Sequence, residues 1–310
     1  MKQILKAIVG VTLITVLVIN VDWRAMLTEL QQADPYLLAA AFIGCGMQFF
    51  LTGWKWGWAI RLFDTALPFR LTVRLYAVAH FVGQFLPTAI GGDAYRIYRV
   101  RRLLPSSTVA ISSLVVERFM GLVILLLLAA IACLLLAPQY LVARSYLLLM
   151  GFGMLGGLVV LVALHYGMLK QFTGRLERFG WFIALRNDYG SMMSARAAWV
   201  AFLGLSVAFQ VMSIFIVFLV FRAIGSDAGF AQAAFITMVG ATAGILPISI
   251  NGLGVSEGSM VGAALALGLQ PEHALLMAIF LRALVMPFTL LCGLLYLAEP
   301  KPDQIQPAAQ

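Results

Sequence analysis

The sequence predicts an all-α fold: a polytopic membrane protein with about six full transmembrane helices and two re-entrant helical hairpins in an inverted-repeat arrangement. Three observations lead there. Of the 310 residues, 62% are apolar and only 11% charged, with a mean hydropathy of +0.97, far outside the composition of a soluble domain. The apolar residues fall in tracts of about 20, the length that spans a hydrocarbon core. A broken motif also occurs twice inside such tracts, as Leu86-Pro87-Thr88-Ala89-Ile90-Gly91-Gly92 and as Leu246-Pro247-Ile248-Ser249-Ile250-Asn251-Gly252. A carboxylate follows each copy, Asp93 or Glu257. Irregular backbone survives at membrane depth only where protein covers it or it lines a watery cavity.

Lys2 and Lys6 precede an apolar run over 7–21, an extra N-terminal transmembrane helix because no small-x-small cleavage site follows it. Asp34-Pro35 is an N-cap and N1 pair for a span over 36–58. Trp54, Trp56 and Trp58 crowd the end of that span in an aromatic-belt pattern. The run 75–90 has Arg70 and Arg74 before it and Arg96, Arg99, Arg101 and Arg102 after it, so it reads as a hairpin entering and leaving on one side. Pro105 is expected at N1 of a long helix reaching residue 137. Further spans cover 145–165 and 197–221, separated by the basic segment 170–196. The second broken tract, 230–250, forms the second hairpin with 255–269. Pro271 then opens the last span, to residue 297, before a polar tail. No intervening segment is long enough for a soluble domain, so residues 1–310 are read as one integral membrane domain.

Placing the Lys/Arg-rich segments in the cytoplasm puts both termini there. Only Arg24, Arg144 and Arg222 are then outside, and Arg118 and Arg282 lie within the membrane. The expected location is the cytoplasmic (inner) membrane. The formal charge of +8 reflects topology and anionic lipid headgroups at the cytoplasmic face, not nucleic acid. In this topology the hairpins enter from opposite sides, and residues 35–137 and 196–297 become inverted repeats. The register agrees. Pro87 and Pro247 are 160 positions apart, whereas Asp93 and Glu257, like Arg118 and Arg282, are 164 apart. One four-residue insertion around 252–256 aligns them all.

Arg118 and Arg282 fall about 15–20 Å into their helices at 1.5 Å per residue, near the bilayer centre. A charge there costs at least about 2.5–3.5 kcal/mol, so both arginines, Asp93 and Glu257 are expected to face protein or water and to pair. One reading is a structural ion pair locking each hairpin to its neighbouring helix. The other is a cavity in which the arginines receive an anionic headgroup through their bidentate fork, while Asp93 and Glu257 compete for them or carry protons. Paired breaks in two halves point to such a site. Asp93 also stands where it would cap a helix over 94–104. Glu117 points to a different helix face from Arg118, and its expected partner is a neighbour such as Arg96.

Arg96, Arg99, Arg101 and Arg102 surround the stripe Ile97, Val100, Leu104, which suggests an interfacial helix resting on headgroups. Pro87, Gly91, Gly92, Pro247, Asn251, Gly252 and Gly254 shape the hairpin breaks, with Asn251 and Ser256 as polar lining. Cys45, Cys133 and Cys292 lie in separate tracts without metal spacing, and His80, His165 and His273 read as packing or interfacial residues. No metal or cofactor is expected, because no phosphate loop, HExxH or Ser/His/Asp pattern is present.

Three motifs occur in order over about residues 5–298: Leu86-Pro87-x-x-Ile90-Gly91-Gly92-Asp93-x-x-Arg96, Glu117-Arg118-x-x-Gly121, and Pro247-x-x-x-x-Gly252-x-Gly254-x-x-Glu257-Gly258. In this the sequence resembles the flippase-like family named for the lysylphosphatidylglycerol synthase transmembrane region. In that family's bifunctional resistance factors, the similar module moves aminoacylated phosphatidylglycerol across the bilayer, and the aminoacyl-transfer domain lies elsewhere. The resemblance implies a lipid flippase or transporter rather than an enzyme, with a membrane lipid as substrate: a phospholipid, an aminoacyl-phospholipid or a polyprenyl-phosphate type. Relatives near polyprenyl-linked glycan or hopanoid pathways add a separate lipid-modifying or glycan-pathway enzyme as an expected partner. The alternatives are an intramembrane enzyme using Asp93 and Glu257 as acid and base on a lipid phosphate, and a non-catalytic membrane partner of a separate synthase.

Overall fold

A computed structural model describes residues 31–85, 91–101, 103–136, 138–146, 148, 192, 194–245 and 252–298. The helices are α1 (Pro35–Arg61), α2 (Phe69–Phe85), α3 (Gly91–Val100), α4 (Ser107–Leu136), α5 (Arg196–Ala223), α6 (Phe230–Ile245), α7 (Val255–Ala266) and α8 (Pro271–Leu297). A short helical turn covers 141–146. Among the described residues, α1, α4, α5 and α8 are long and apolar enough to cross a membrane. The expected span 7–21 lies outside the described residues, as does most of 145–165. The hairpin tips carrying Pro87, Pro247 and Asn251 also lie outside them.

Local chemistry sets the helix starts. The Asp34 carboxylate accepts from the backbone N–H groups of Tyr36 at 2.8 Å and Leu37 at 3.3 Å, with Pro35 at N1, which satisfies donors the first turn leaves open. Pro271 likewise stands at the start of α8, where Gln270 supplies no side-chain cap. Pro105 does not begin α4. That helix starts at Ser107, and the Ser106 hydroxyl accepts from Val109 N–H at 3.3 Å; a serine oxygen supplies the cap that proline cannot. The tryptophans divide as their spacing demands, with Trp56 buried and Trp54 exposed. Among the described residues, one proline lies inside a helix: Pro287 of α8, which leaves the Ala283 carbonyl without its helical donor.

Corresponding helices of the two halves meet at the centre. α1 and α5 run antiparallel: Asp34 N–H donates to the Ala223 carbonyl at 2.8 Å, Gln48 donates to the Ser213 hydroxyl midway, and Lys55 lies over the Phe209 ring farther along. Exchanging α1–α4 for α5–α8 converts each main packing into another. α2 on α8 becomes α6 on α4, α1 on α2 becomes α5 on α6, and α3 on α4 becomes α7 on α8.

The apolar core splits accordingly. One cluster, including Trp56, Leu75, Val100, Val109 and Phe202, joins α2 and α3 to one end of α1, α4 and α5. The other, including Cys45, Cys133, Val220, Phe235 and Met260, joins α6 and α7 to the opposite end of the same three helices.

Both α2 on α3 and α6 on α7 approach closely at a glycine. A Cβ on Gly92 would lie 2.6 Å from the Ala79 carbonyl oxygen, and one on Gly240 would overlap the Met260 side chain. α2 ends at Phe85 and α6 at Ile245, whereas α3 begins at Gly91 and α7 at Val255. The second connection is therefore four residues longer. Gly252 (φ 73°) and Gly254 (φ 78°) occupy that longer stretch in left-handed conformations, which glycine adopts without steric cost.

Close approach also fixes α1 on α2. A Cβ on Gly53 would lie 2.5 Å from Val73 Cα, a backbone atom, whereas Gly121 has nothing within 4 Å. Gly53→Ala should destabilise the protein by about 1–3 kcal/mol through overpacking. Gly121→Ala should hold stability or raise it by up to about 1 kcal/mol, as alanine does in a helix. Melting temperatures of the two variants in detergent, compared with the parent, check this.

Candidate functional site

Asp93 lies in the first turn of α3 and Arg118 is the twelfth residue of α4, so packing α3 on α4 brings them together. Arg118 Nη2 donates to both Asp93 oxygens, at 3.0 and 2.9 Å, and its Nε donates at 3.2 Å. One turn along α3, Arg96 also donates to Asp93. Its other terminal nitrogen donates to Glu117 Oε2 at 2.9 Å, and the ammonium of Lys55 lies 3.5 Å from Glu117 Oε1. The result is an alternating chain, Lys55, Glu117, Arg96, Asp93, Arg118.

The Arg96 guanidinium also faces the rings of Tyr76 at 4.4 Å and Trp56 at 4.8 Å, where the ring quadrupoles attract a cation. Side-chain exposure is 8% at Lys55, 4% at Glu117 and 1% at Arg96, then rises to 15% at Asp93 and 59% at Arg118. Buried charges of this kind hold only when each is paired and hydrogen-bonded. The network is closed at one end and open at the other.

The open end lines a cavity of about 90 Å³ formed by Arg118, Asp93, Arg96, Tyr76, His80 and Gly92, among others. Three expectations change here. Asp93 is not an N-cap, because α3 already begins at Gly91 and the arginines take the carboxylate. The α3 arginines do not all turn outward to headgroups: Arg96 and Arg99 are buried, and Arg101 is exposed. Acidic and aromatic partners inside the fold hold Arg96 inward. His80, read as a packing residue, does pack edge-on against Phe49 and lies 3.3 Å from the Thr289 hydroxyl, but it also lines the cavity.

The second half repeats the outer pair. Glu257 in the first turn of α7 accepts from Gly254 N–H at 2.8 Å with Oε2 and pairs with Arg282 of α8 through Oε1. With Ser256, Met260 and Leu281 these groups line a cavity of about 160 Å³. Ser256 also donates to the Gly240 carbonyl at 3.0 Å. The shift of 164 that sets Glu257 on Asp93 sets Met260 on Arg96 and Leu281 on Glu117. The second cavity thus has the outer ion pair and an apolar floor. Lys55, Trp56 and Tyr76 were not legible as site residues. The available signal for Lys55 was a charge set between Trp54 and Trp56, inside an otherwise apolar helix.

The three motifs supply Asp93, Arg96, Glu117, Arg118 and Glu257, and Arg282, which completes the second pair, lies outside them. A model of the lysylphosphatidylglycerol synthase TM region matches residues 3–293. The chain belongs to that family. Membership and the apolar helices make it a membrane-embedded, multi-pass protein with a lipid-related, flippase-like domain. Comparison with curated proteins gives no match. Among the described residues, no three His, Cys, Asp or Glu converge as a metal site.

The two charge clusters should differ in their contribution to stability. Glu117→Leu strips Arg96 and Lys55 of a shared buried acceptor and should cost about 3–5 kcal/mol, the loss on breaking a buried pair. Glu257→Gln should cost clearly less, because that pair is only part-buried, with Arg282 41% and Glu257 20% exposed, and less desolvated charge is left behind. Thermal unfolding of both purified variants compares them.

Proposed function

We propose that this chain is a lipid flippase or transporter that carries an anionic, phosphate-containing headgroup across the cytoplasmic membrane without bond chemistry. The observation that carries this reading is the placement of two guanidinium groups, Arg118 and Arg282, each a dozen residues into a long apolar helix and each opening on a cavity. A guanidinium fork matches phosphate geometry, and a polar path at that depth is what a headgroup needs while its tails remain in lipid.

The antiparallel α1 and α5, the self-matching packing and the opposed apolar clusters support an inverted duplication with α2/α3 and α6/α7 as re-entrant hairpins. Such duplications place the substrate at the repeat interface and alternate its access. Phospholipids, aminoacyl-phospholipids and polyprenyl phosphates all present the required chemistry. Both termini face the cytoplasm in this reading. In this conformation both arginines are held by carboxylates, so neither is free to receive a headgroup. Loading requires the pairs to part. Asp93, gripped by two arginines, is a poor general base, which weighs against acid–base chemistry on a lipid phosphate.

The test is headgroup translocation in proteoliposomes, using head-labelled anionic phospholipids and a membrane-impermeant quencher. Arg118→Ala and Arg282→Ala should each slow translocation at least tenfold. Undiminished rates in both variants would remove the arginines from the mechanism.

A further inference from the structure

The two carboxylates keep different company. Asp93 has two arginine partners with separate anchorage. Arg118 stands at the cavity with 59% of its side chain exposed, whereas Arg96 is 1% exposed, hydrogen-bonded to Glu117 and enclosed by Tyr76 and Trp56. If Arg118 turns toward an incoming anion, Arg96 stays, and Asp93 remains a paired carboxylate. Among the described residues, Glu257 has Arg282 and the single N–H of Gly254.

The positions that would supply a second cation and its counter-ion hold Met260 and Leu281, both lining the cavity. α6, packed on α7, contributes no charged residue over Phe230–Ile245. On α8, Glu272 and His273 sit in the first turn, about 15 Å from Arg282 along the axis. His80 of α2 lies within electrostatic reach of Arg282 and lines the other cavity. When Arg282 leaves, Glu257, 20% exposed, is left among the described residues as a carboxylate in a largely apolar pocket with one backbone donor. An unpaired buried charge is neutralised rather than kept.

We propose that Glu257 takes up a proton each time Arg282 is released, and that Arg96 is the positioning residue that keeps Asp93 ionised when Arg118 is released. The proton comes from water in the cavity to Glu257 Oε1 and returns to water when Arg282 pairs again. This rests on the transport reading only in assuming that a headgroup is what draws the arginines away.

Removing each arginine imitates its release and needs no substrate. The full chain is reconstituted in phosphatidylcholine vesicles, and the infrared carbonyl band of a protonated carboxyl group is recorded at neutral pH. Arg282→Ala should show that band, Arg118→Ala should lack it, and Glu257→Gln added to Arg282→Ala should remove it. Met260→Arg added to Arg282→Ala should also remove it, by giving Glu257 the cation that Arg96 gives Asp93. The proposal is overturned if Arg282→Ala shows no band, or if Arg118→Ala shows one that Asp93→Asn removes. Should an alanine variant fail to fold, Arg282→Gln and Arg118→Gln, which keep the side-chain bulk and hydrogen-bonding capacity without the charge, take the same measurement with the same two deciding outcomes. A parent protein that moves no lipid, with variants that show this pattern of bands, would overturn the carrier reading and leave the proton assignment standing.

Discussion

A shared carboxylate governs this structure. Asp93 accepts hydrogen bonds from Arg96 on its own helix and from Arg118 on the next, so α3 cannot turn about its axis or leave α4 without stranding charge in a low-dielectric interior. Stranded charge is among the largest penalties available to a fold. The requirement spreads outward. Arg96 needs Glu117, Glu117 draws in Lys55 from α1, and the aromatic rings of Trp56 and Tyr76 complete the enclosure. Helices that would otherwise slide along apolar faces acquire a fixed register.

The second half solves the same problem with fewer groups. Its carboxylate is held by one arginine and by a backbone donor that exists because Gly254 turns the chain with a positive φ. Where the first half has Arg96 and Glu117, the second has Met260 and Leu281, so its interior gains from apolar contact and carries no desolvation penalty there. One architecture thus accommodates a heavily ligated site and a sparsely ligated one, set toward opposite ends of the long central helices.

Much of this was legible in the sequence because ionisable residues are rare in membrane tracts and so stand out. Matched spacings paired Asp93 with Arg118 and Glu257 with Arg282 before any coordinates, and the offset change from 160 to 164 located the longer connection at Gly252 and Gly254. The pairing of Arg96 with Glu117 was legible, because Glu117 turns away from Arg118 and needs another cation, but the inward turn of Arg99 was not. Clustered arginines around an apolar stripe have the same pattern on a headgroup surface as on a helix whose polar face meets buried acids. Lys55 was hidden for a related reason, since a basic residue at the end of a span normally sets topology. Pro105 misled by two residues because proline and serine both mark helix starts, and only the hydrogen bond from Val109 shows which one caps.

Pro287 gives α8 a property its counterpart α4 lacks. The carbonyl left without a donor belongs to Ala283, the residue directly after Arg282. Proline is a common site of sharp helix bends, so flexure of α8 concentrates one turn beyond its arginine. Arg282 stands beside this interrupted turn, whereas α4 carries no proline between Ser107 and Leu136. The weakened hydrogen-bond ladder therefore lies in the sparsely ligated half and the continuous one in the densely ligated half.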